Sequence, residues 1–464
     1  MADAQLEIPI VYDSEEWIDS CKVITDISEG SATNCNDLRD LIEELQGINW
    51  KCEHELSGIT QVLDTQGCRL FGFDNLYSEV LPWLASKILQ IPKLFPSGIP
   101  MLRQSKSQFL LFSREQCVAL LGALFLAATK YNHMALYEDS YTTTSQQCKL
   151  LSFVNYFTMM HEQPPEYLTS TFISFERISS EIKPLSHWSC LKDKLSQVTI
   201  SGNLSIEDSP DPCLRIDFAN KFIGGGTLLH GNVQEEIAFT IHPEMIISMM
   251  ISDVMLDNEA IIIVGAQRTT LHRGYGSNCS YVERFHDRRP LDNLNRIDTH
   301  EAAIDALELM LDPESQYQDL LLEREINKAY IGFLGDSHER KEFVEKELNR
   351  AFEARNKEKS GEEEKKEEKL RPIATGKWGC GMFGGDPELK LIIQWIAATK
   401  ARRDMIFMTF NDENLKRKSE RLIEKYKNVN IEKLMTDLRK VLNEKRNDNQ
   451  GSVIELMLEL IESS

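Results

Sequence analysis

The chain reads as an α/β protein, with a layered domain of alternating strands and helices preceded by a mainly helical stretch. Three observations predict this. Ile261-Ile262-Ile263-Val264 is a solid β-branched run without polar alternation, which suits a strand covered on both faces. Apolar residues at 246, 247, 250, 251, 254 and 255 fall at helical spacing just before it. Strand-like and helix-like segments then alternate to about residue 410, the pattern of an α/β layered domain.

Taken in order, residues 1–75 are acidic and weakly periodic, and are expected to form a loosely packed lead-in with one or two helices. Residues 76–194 follow as a mainly helical domain. Pro92, Pro96 and Pro100 punctuate the approach to Ser113-x-x-Gln116, a capping box that opens an apolar helix running to Lys130. Met159-Met160 and Pro164-Pro165 mark a later break. The texture changes near residue 195, where the layered domain, residues 195–440, begins. Val198-Thr199-Ile200 and Cys213 to Phe218 read as strands, and Pro243 opens a helix. Ile261 to Val264 follows, then a helix near 299–311. The mixed charge run 357–369 reads as a solvated helix end or loop. Asp386-Pro387 caps a helix running to about Lys400, and Met405 to Phe410 is another buried strand. A tail, residues 441–464, ends in the apolar spacing of a short docking helix, Val453 to Ile461.

Composition narrows the function. A net charge of −21 argues against a general nucleic-acid-binding surface, so no direct contact with DNA or RNA is expected. It leaves room for a nucleotide-like ligand held by local backbone dipoles. Ten cysteines are scattered without Cys-x-x-Cys spacing, which fits a reducing compartment and no zinc module. The amino terminus has no basic residue before Lys22, unlike a signal peptide, and the longest apolar run, Cys117 to Ala128, is too short to span a bilayer. These features fit a protein of the nucleus and/or cytoplasm, away from membranes; a monomer is expected, with no residue pattern behind that expectation.

The chemistry concentrates in Gly224-Gly225-Gly226 and, seven residues on, Gln234-Glu235-Glu236. Three glycines let a backbone approach a ligand closely, and their N–H groups can converge on a phosphate. Two acids beside an anion cradle repel phosphate, so an acid there points to chemistry rather than binding alone. A second glycine-rich loop spans Gly376 to Asp386. Neither loop fits Gly-x-Gly-x-x-Gly or the nucleoside-triphosphate loop, so neither a dinucleotide oxidoreductase nor an NTPase is supported. Spacing alone leaves tight turns as an equal reading of both.

Asp217-Phe218-Ala219-Asn220-Lys221-Phe222, the glycine triplet and Gln234-Glu235-Glu236 together resemble the signature of the poly(ADP-ribose) glycohydrolase family. Leu81-Pro82, Ile99-Pro100, Ser113 to Gln116, Glu325 to Tyr330, Thr375 to Asp386 and Thr409-Phe410 match in order, over about residues 75–415. The resemblance implies a macrodomain-type mixed sheet between helices, preceded by a helical accessory domain. It implies exo-type hydrolysis of ribose–ribose bonds in poly(ADP-ribose) chains on modified proteins, with no metal or other cofactor. Residues between Tyr275 and His300, from Arg340 to Leu370, and 1–75 follow no family pattern.

Carried over by position, the resemblance makes Glu236 the general acid that protonates the leaving ribose hydroxyl. Glu235 and Asn220 would hold the reacting ribose, with Asp217 supporting the site. Gly225 and Gly226 would meet the diphosphate, Gly224 and Gln234 would also bind substrate, and Tyr275 would lie over the catalytic loop and the diphosphate. Ile206 and Glu207 would recognise adenine. Phe410 would pack on the distal ribose side, and Gly381 and Phe383 of the second loop would line the ligand. Ordinary glycosidases set two carboxyls about 5–9 Å apart across a sugar. Adjacent glutamates cannot easily flank a ring, so one carboxyl would act as acid and then as base on one face. Two rival readings are a non-enzymatic ADP-ribose reader and a hydrolase of the protein-linked terminal unit. A reader needs the glycine loop but no acid beside it.

Overall fold

The computed structural model describes residues 10, 12–50, 56–129, 143–335, 340, 343–347, 370–448 and 451–462; the charge run 357–369 lies outside them. Ten strands are named here in chain order: β1 (Gln108–Ser113), β2 (Phe172–Ser179), β3 (Val198–Ser201), β4 (Leu214–Asp217), β5 (Glu259–Val264), β6 (Thr270–Arg273), β7 (Ser280–Arg284), β8 (His300–Ala303), β9 (Ile373–Gly376) and β10 (Met405–Met408). Eight form one mixed sheet in the order β1-β2-β5-β8-β4-β9-β10-β3, and β6 and β7 form a separate hairpin. The β1 end is antiparallel as far as β8, whereas β8, β4, β9, β10 and β3 run parallel.

Strand β5 shows why the sheet is a middle layer. Side chains alternate across a strand. Ile261 and Ile263 join the core formed with the N-terminal helices and the helices Arg114–Phe125 and Thr144–His161. Ala260, Ile262 and Val264 join the opposite core, with the helices Asp319–Phe333 and Pro387–Lys400. Each buried isoleucine contributes roughly 1.5–3 kcal/mol of transfer free energy, so a β-branched run is what a two-faced strand requires.

Local signals place several elements as expected. Ser113 and Gln116 form the reciprocal capping box, although the helix they open stops at Phe125, short of Lys130, before Ala127 turns at φ 57°. Asp386 caps the helix Pro387–Lys400 through the N–H groups of Glu388 and Leu389. The tail does form a helix, Val453–Glu462, with Val453, Ile454, Met457 and Leu458 buried. Among the described residues no helix is long and apolar enough to cross a membrane.

Three readings change. The segment 299–311 begins as strand β8 rather than a helix, because His300-Glu301-Ala302-Ala303 is gripped between β5 and β4. Ladder pairing on both sides overrides the helix preference of alanine and glutamate. The mainly helical stretch 76–194 supplies β1 and β2, and β2 pairs with β5 from Ser174↔Val264 to Ser179↔Glu259. One sheet thus runs through the 194/195 division. The lead-in is not loose: the helices Glu15–Ser28 and Cys35–Trp50 bury Trp17, Ile24, Ile27, Leu38, Ile42 and Leu45 in the first core.

Candidate active site

Parallel strands β3, β4, β9 and β10 all deliver their C-terminal ends to one edge of the sheet, the place where open α/β sheets bind ligands. Ile206 and Glu207 follow β3, Asp217 ends β4, Gly381 and Phe383 follow β9, and Phe410 follows β10. After β4 the chain crosses Asn220 and the glycine triplet before entering the helix Gln234–Ile241. Val233, at the cap position, has no side-chain acceptor. Glu236 supplies the reciprocal half of the cap instead, accepting from the Val233 N–H at 2.9 Å. Acids in a first helical turn are also favoured by the helix dipole.

Both glutamates are buried beneath the glycine loop. Glu235 accepts from the N–H groups of Asn220 at 2.9 Å and Gly224 at 2.5 Å. Glu236 accepts through its other oxygen from Gly226 at 2.9 Å. Here the glycines have a specific task. A Cβ on Gly225, at φ +47°, would stand 2.6 Å from Glu235 Oε2 and 2.7 Å from Glu236 Oε1. One on Gly231 would stand 2.5 Å from Glu236 Cδ. The bare backbone therefore lets two carboxyls nest against the loop that lies over them. Gln234 bridges outward, accepting from Phe218 N–H at 2.8 Å and donating to Glu207 Oε1 at 3.3 Å.

Asp217 is fully buried, and among the described residues neither carboxyl oxygen has a hydrogen-bond partner. Burial, then the carboxyls of Glu301, Glu236 and Glu207, push it well above the usual carboxylate range. Glu235 is pushed the same way by burial, Asp217 and Glu236. Glu301 stands opposite Arg215 in the β4–β8 register, on the face that Arg215 shares with Asp217. Burial pushes Glu301 up to about 8, against the pull of Arg215 and Arg289. Burial thus raises Asp217, Glu235, Glu207 and Glu301 together above the ordinary carboxylate range.

The other residues named from the sequence lie outside this acid group, Gly381 and Phe383 on the separate loop after β9. Ile206 is buried with Cys213, Ala374 and Met408, and Phe410 packs against that cluster at φ +51°. Tyr275, on the turn between β6 and β7, is 49% exposed, and its ring lies 5.9 Å from that of Phe410. Glu207 is raised chiefly by burial. Asn220 Oδ1 accepts from Phe222 N–H at 3.0 Å, so its side chain holds the turn while its main chain holds Glu235. Phe383 is partly buried on the second core, and its carbonyl accepts from Leu309 N–H at 2.7 Å. Gly381 faces open space.

Three residues near the acids escaped the sequence reading: Arg215, Glu301 and Lys149. A lone cation inside the apolar run Cys148 to Val154 was the one available signal. Arg215 and Glu301 had none, because only strand register brings them together.

Two family models match the chain. That of poly(ADP-ribose) glycohydrolase, macro domain fold, covers residues 185–417, and that of its helical domain covers residues 73–177. Poly(ADP-ribose) glycohydrolase 1 of Arabidopsis thaliana is 34% identical over 409 residues, covering 73% of each chain. Probable poly(ADP-ribose) glycohydrolase 2 of the same plant is 31% identical over 390 residues, covering 72% of each. Poly(ADP-ribose) glycohydrolase 2 of Caenorhabditis elegans is 31% identical over 337 residues, 69% of this chain and 61% of its own. The first model spans the glycine loop, the acid pair and the other residues named from the sequence alike, and with these relatives it establishes that the chain belongs to the poly(ADP-ribose) glycohydrolase family, glycosyl hydrolases of the macrodomain fold.

Proposed function

We propose that this chain hydrolyses ribose–ribose O-glycosidic bonds of poly(ADP-ribose) from chain ends, releasing ADP-ribose, with Glu236 as general acid. One observation carries the reading: Glu235 and Glu236 are packed directly beneath a glycine loop that any side chain at Gly225 would push off them. The N–H groups of the three glycines go to Glu235, the Phe222 carbonyl and Glu236 rather than converging on a phosphate, and that bracing alone would serve a binding module as well. A hydrolase needs in addition a proton delivered to a leaving hydroxyl and then recovered from water, and the family to which the chain belongs is one of glycosyl hydrolases.

The remaining residues take roles suited to their positions. Each oxygen of Glu236 accepts a single main-chain N–H, which leaves lone-pair capacity toward a ligand. Glu235 and Asn220 would hold the reacting ribose, and Asp217 would hold a proton beneath them. Gly225 and Gly226 would meet the diphosphate, with Gly224 and Gln234 beside them. Ile206 and Glu207 would take the adenine. Tyr275, Phe410, Gly381 and Phe383 would close the site.

The test is product analysis on automodified, polymer-bearing protein. The wild-type chain is expected to release free ADP-ribose from the earliest times and to leave one protein-linked unit. Glu236→Gln is expected to bind ADP-ribose and release none. Turnover near wild type in that variant removes the general-acid role. Early oligomeric products refute the exo mode, intact polymer with ADP-ribose affinity supports a reader, and removal of the last unit supports the terminal hydrolase.

A further inference from the structure

A buried ammonium lies behind the glycine loop. Lys149, 4% exposed, projects from the first turns of the helix Thr144–His161. Its Nζ donates to the carbonyls of Gly226 at 3.3 Å and Leu229 at 3.0 Å. Gly226 is the residue whose N–H holds Glu236. Neither carbonyl depends on the lysine for a partner. That of Gly226 already accepts from Leu229 N–H at 2.9 Å and Gly231 N–H at 3.0 Å, and that of Leu229 accepts from Gln146 Nε2 at 3.0 Å. Satisfying loop carbonyls therefore does not account for an ammonium here, and burying one is expensive. What distinguishes a lysine from a second glutamine is charge, and the residue whose carbonyl it holds, Gly226, holds the Glu236 carboxyl through its N–H.

We propose that Lys149 is a positioning residue for hydrolysis, holding the Gly226–Leu229 segment and the Glu236 carboxyl in register only while it carries its proton. The inference rests on the reading of Glu236 as the general acid. The titratable groups facing Lys149 are Glu236 from the helix Gln234–Ile241, Cys279 from the turn after Tyr275, and Cys148 from its own helix. Burial pushes the ammonium down to about 8, with Glu236 opposing. The group is thus charged below that pH and loses its proton through it, so the loop loosens on the alkaline side.

Lys149→Met and Lys149→Arg in the full chain test this, with ADP-ribose release followed against pH. Lys149→Met is expected to unfold cooperatively and to bind ADP-ribose within a few-fold of wild type. Its kcat should fall more than tenfold, with KM changing less. In a Glu301→Gln background, which removes the other group titrating near 8, the alkaline fall near 8 should be missing from both variants, because neither side chain titrates there. Lys149→Arg should recover part of kcat. Wild-type kcat in Lys149→Met, or an unmoved alkaline fall in either variant in that background, overturns the proposal. Should Lys149→Met fail to fold, the alkaline fall in Lys149→Arg decides alone. A wild-type chain that releases nothing, or an active Glu236→Gln, defeats the parent reading. An inert Glu236→Gln beside an indifferent Lys149→Met defeats this inference only.

Discussion

The two glycine-rich loops follow neighbouring parallel strands, β4 and β9, yet they are supported in opposite ways. Under the first lie acids with too few partners: among the described residues Asp217 has none, and Glu301 has an unpaired oxygen. Under the second lies a cluster of matched charges, in which Lys390 meets Glu325 and Arg324 meets Asp305 and Glu325. Lys390 Nζ also sits 4.0 Å from the Trp378 ring centroid. The glycines differ accordingly. A Cβ on Gly225 would strike carboxylates, whereas one on Gly379 would stand 2.5 Å from Ala306 Cβ and 3.2 Å from Lys390 Nζ. Similar composition thus serves two ends. The first loop keeps proton-holding groups in a costly state, which is where chemistry is expected to break the ordinary rules of packing, and the second is built for stability.

Substitutions should separate the two supports, and the largest effect is expected at Glu301. Its folded pKa of about 8 exceeds its ordinary 4.5, so the folded chain holds the extra proton between them. That contribution is complete below pH 4.5 and lost as pH rises through 8, on the order of 5 kcal/mol. Glu301→Gln should flatten denaturant-derived stability across this window; an unchanged slope would mean that Glu301 is ionised throughout. Next comes Gly225→Ala, expected to lower kcat about 100-fold by displacing both carboxyls, beyond the ~1–2 kcal/mol of stability that left-handed strain removes. A variant that melts early but turns over normally would reverse the comparison. Gly379→Ala should lose about 2 kcal/mol of stability through overpacking and left-handed strain, but with kcat per folded molecule preserved. Smallest is Gly381→Ala, whose new methyl enters open space. Stability should stay within about 0.5 kcal/mol and KM should rise a few-fold; an unmoved KM would take Gly381 out of the ligand site.

Local chemistry was legible in the sequence and long-range pairing was not. Ser113, Asp386 and the run Ile261 to Val264 announce their structures because caps and two-faced strands depend on residues within one element. The glycine triplet and Gln234-Glu235-Glu236 were readable for the same reason, as a turn and the helix start it serves. Strand β8 was misread because His300 to Ala303 carries no strand signal of its own, and its two neighbours decide its state. The N-terminal helices looked loose because the helix Leu81–Ile88, against which Glu15–Ser28 packs, lies far along the chain. Lys149 and Glu301 act on the acids only through tertiary placement, so no spacing rule reaches them.

The pairing of β2 with β5 has a practical consequence for anyone trimming this chain. The helical-domain match ends at residue 177 and the macro-domain match begins at residue 185, an inviting place to cut. A fragment starting there would lose β1 and β2 and leave the six-residue apolar strand β5 as a bare sheet margin. Unpaired margins of that kind recruit other chains, so the excised half would be prone to self-association and precipitation.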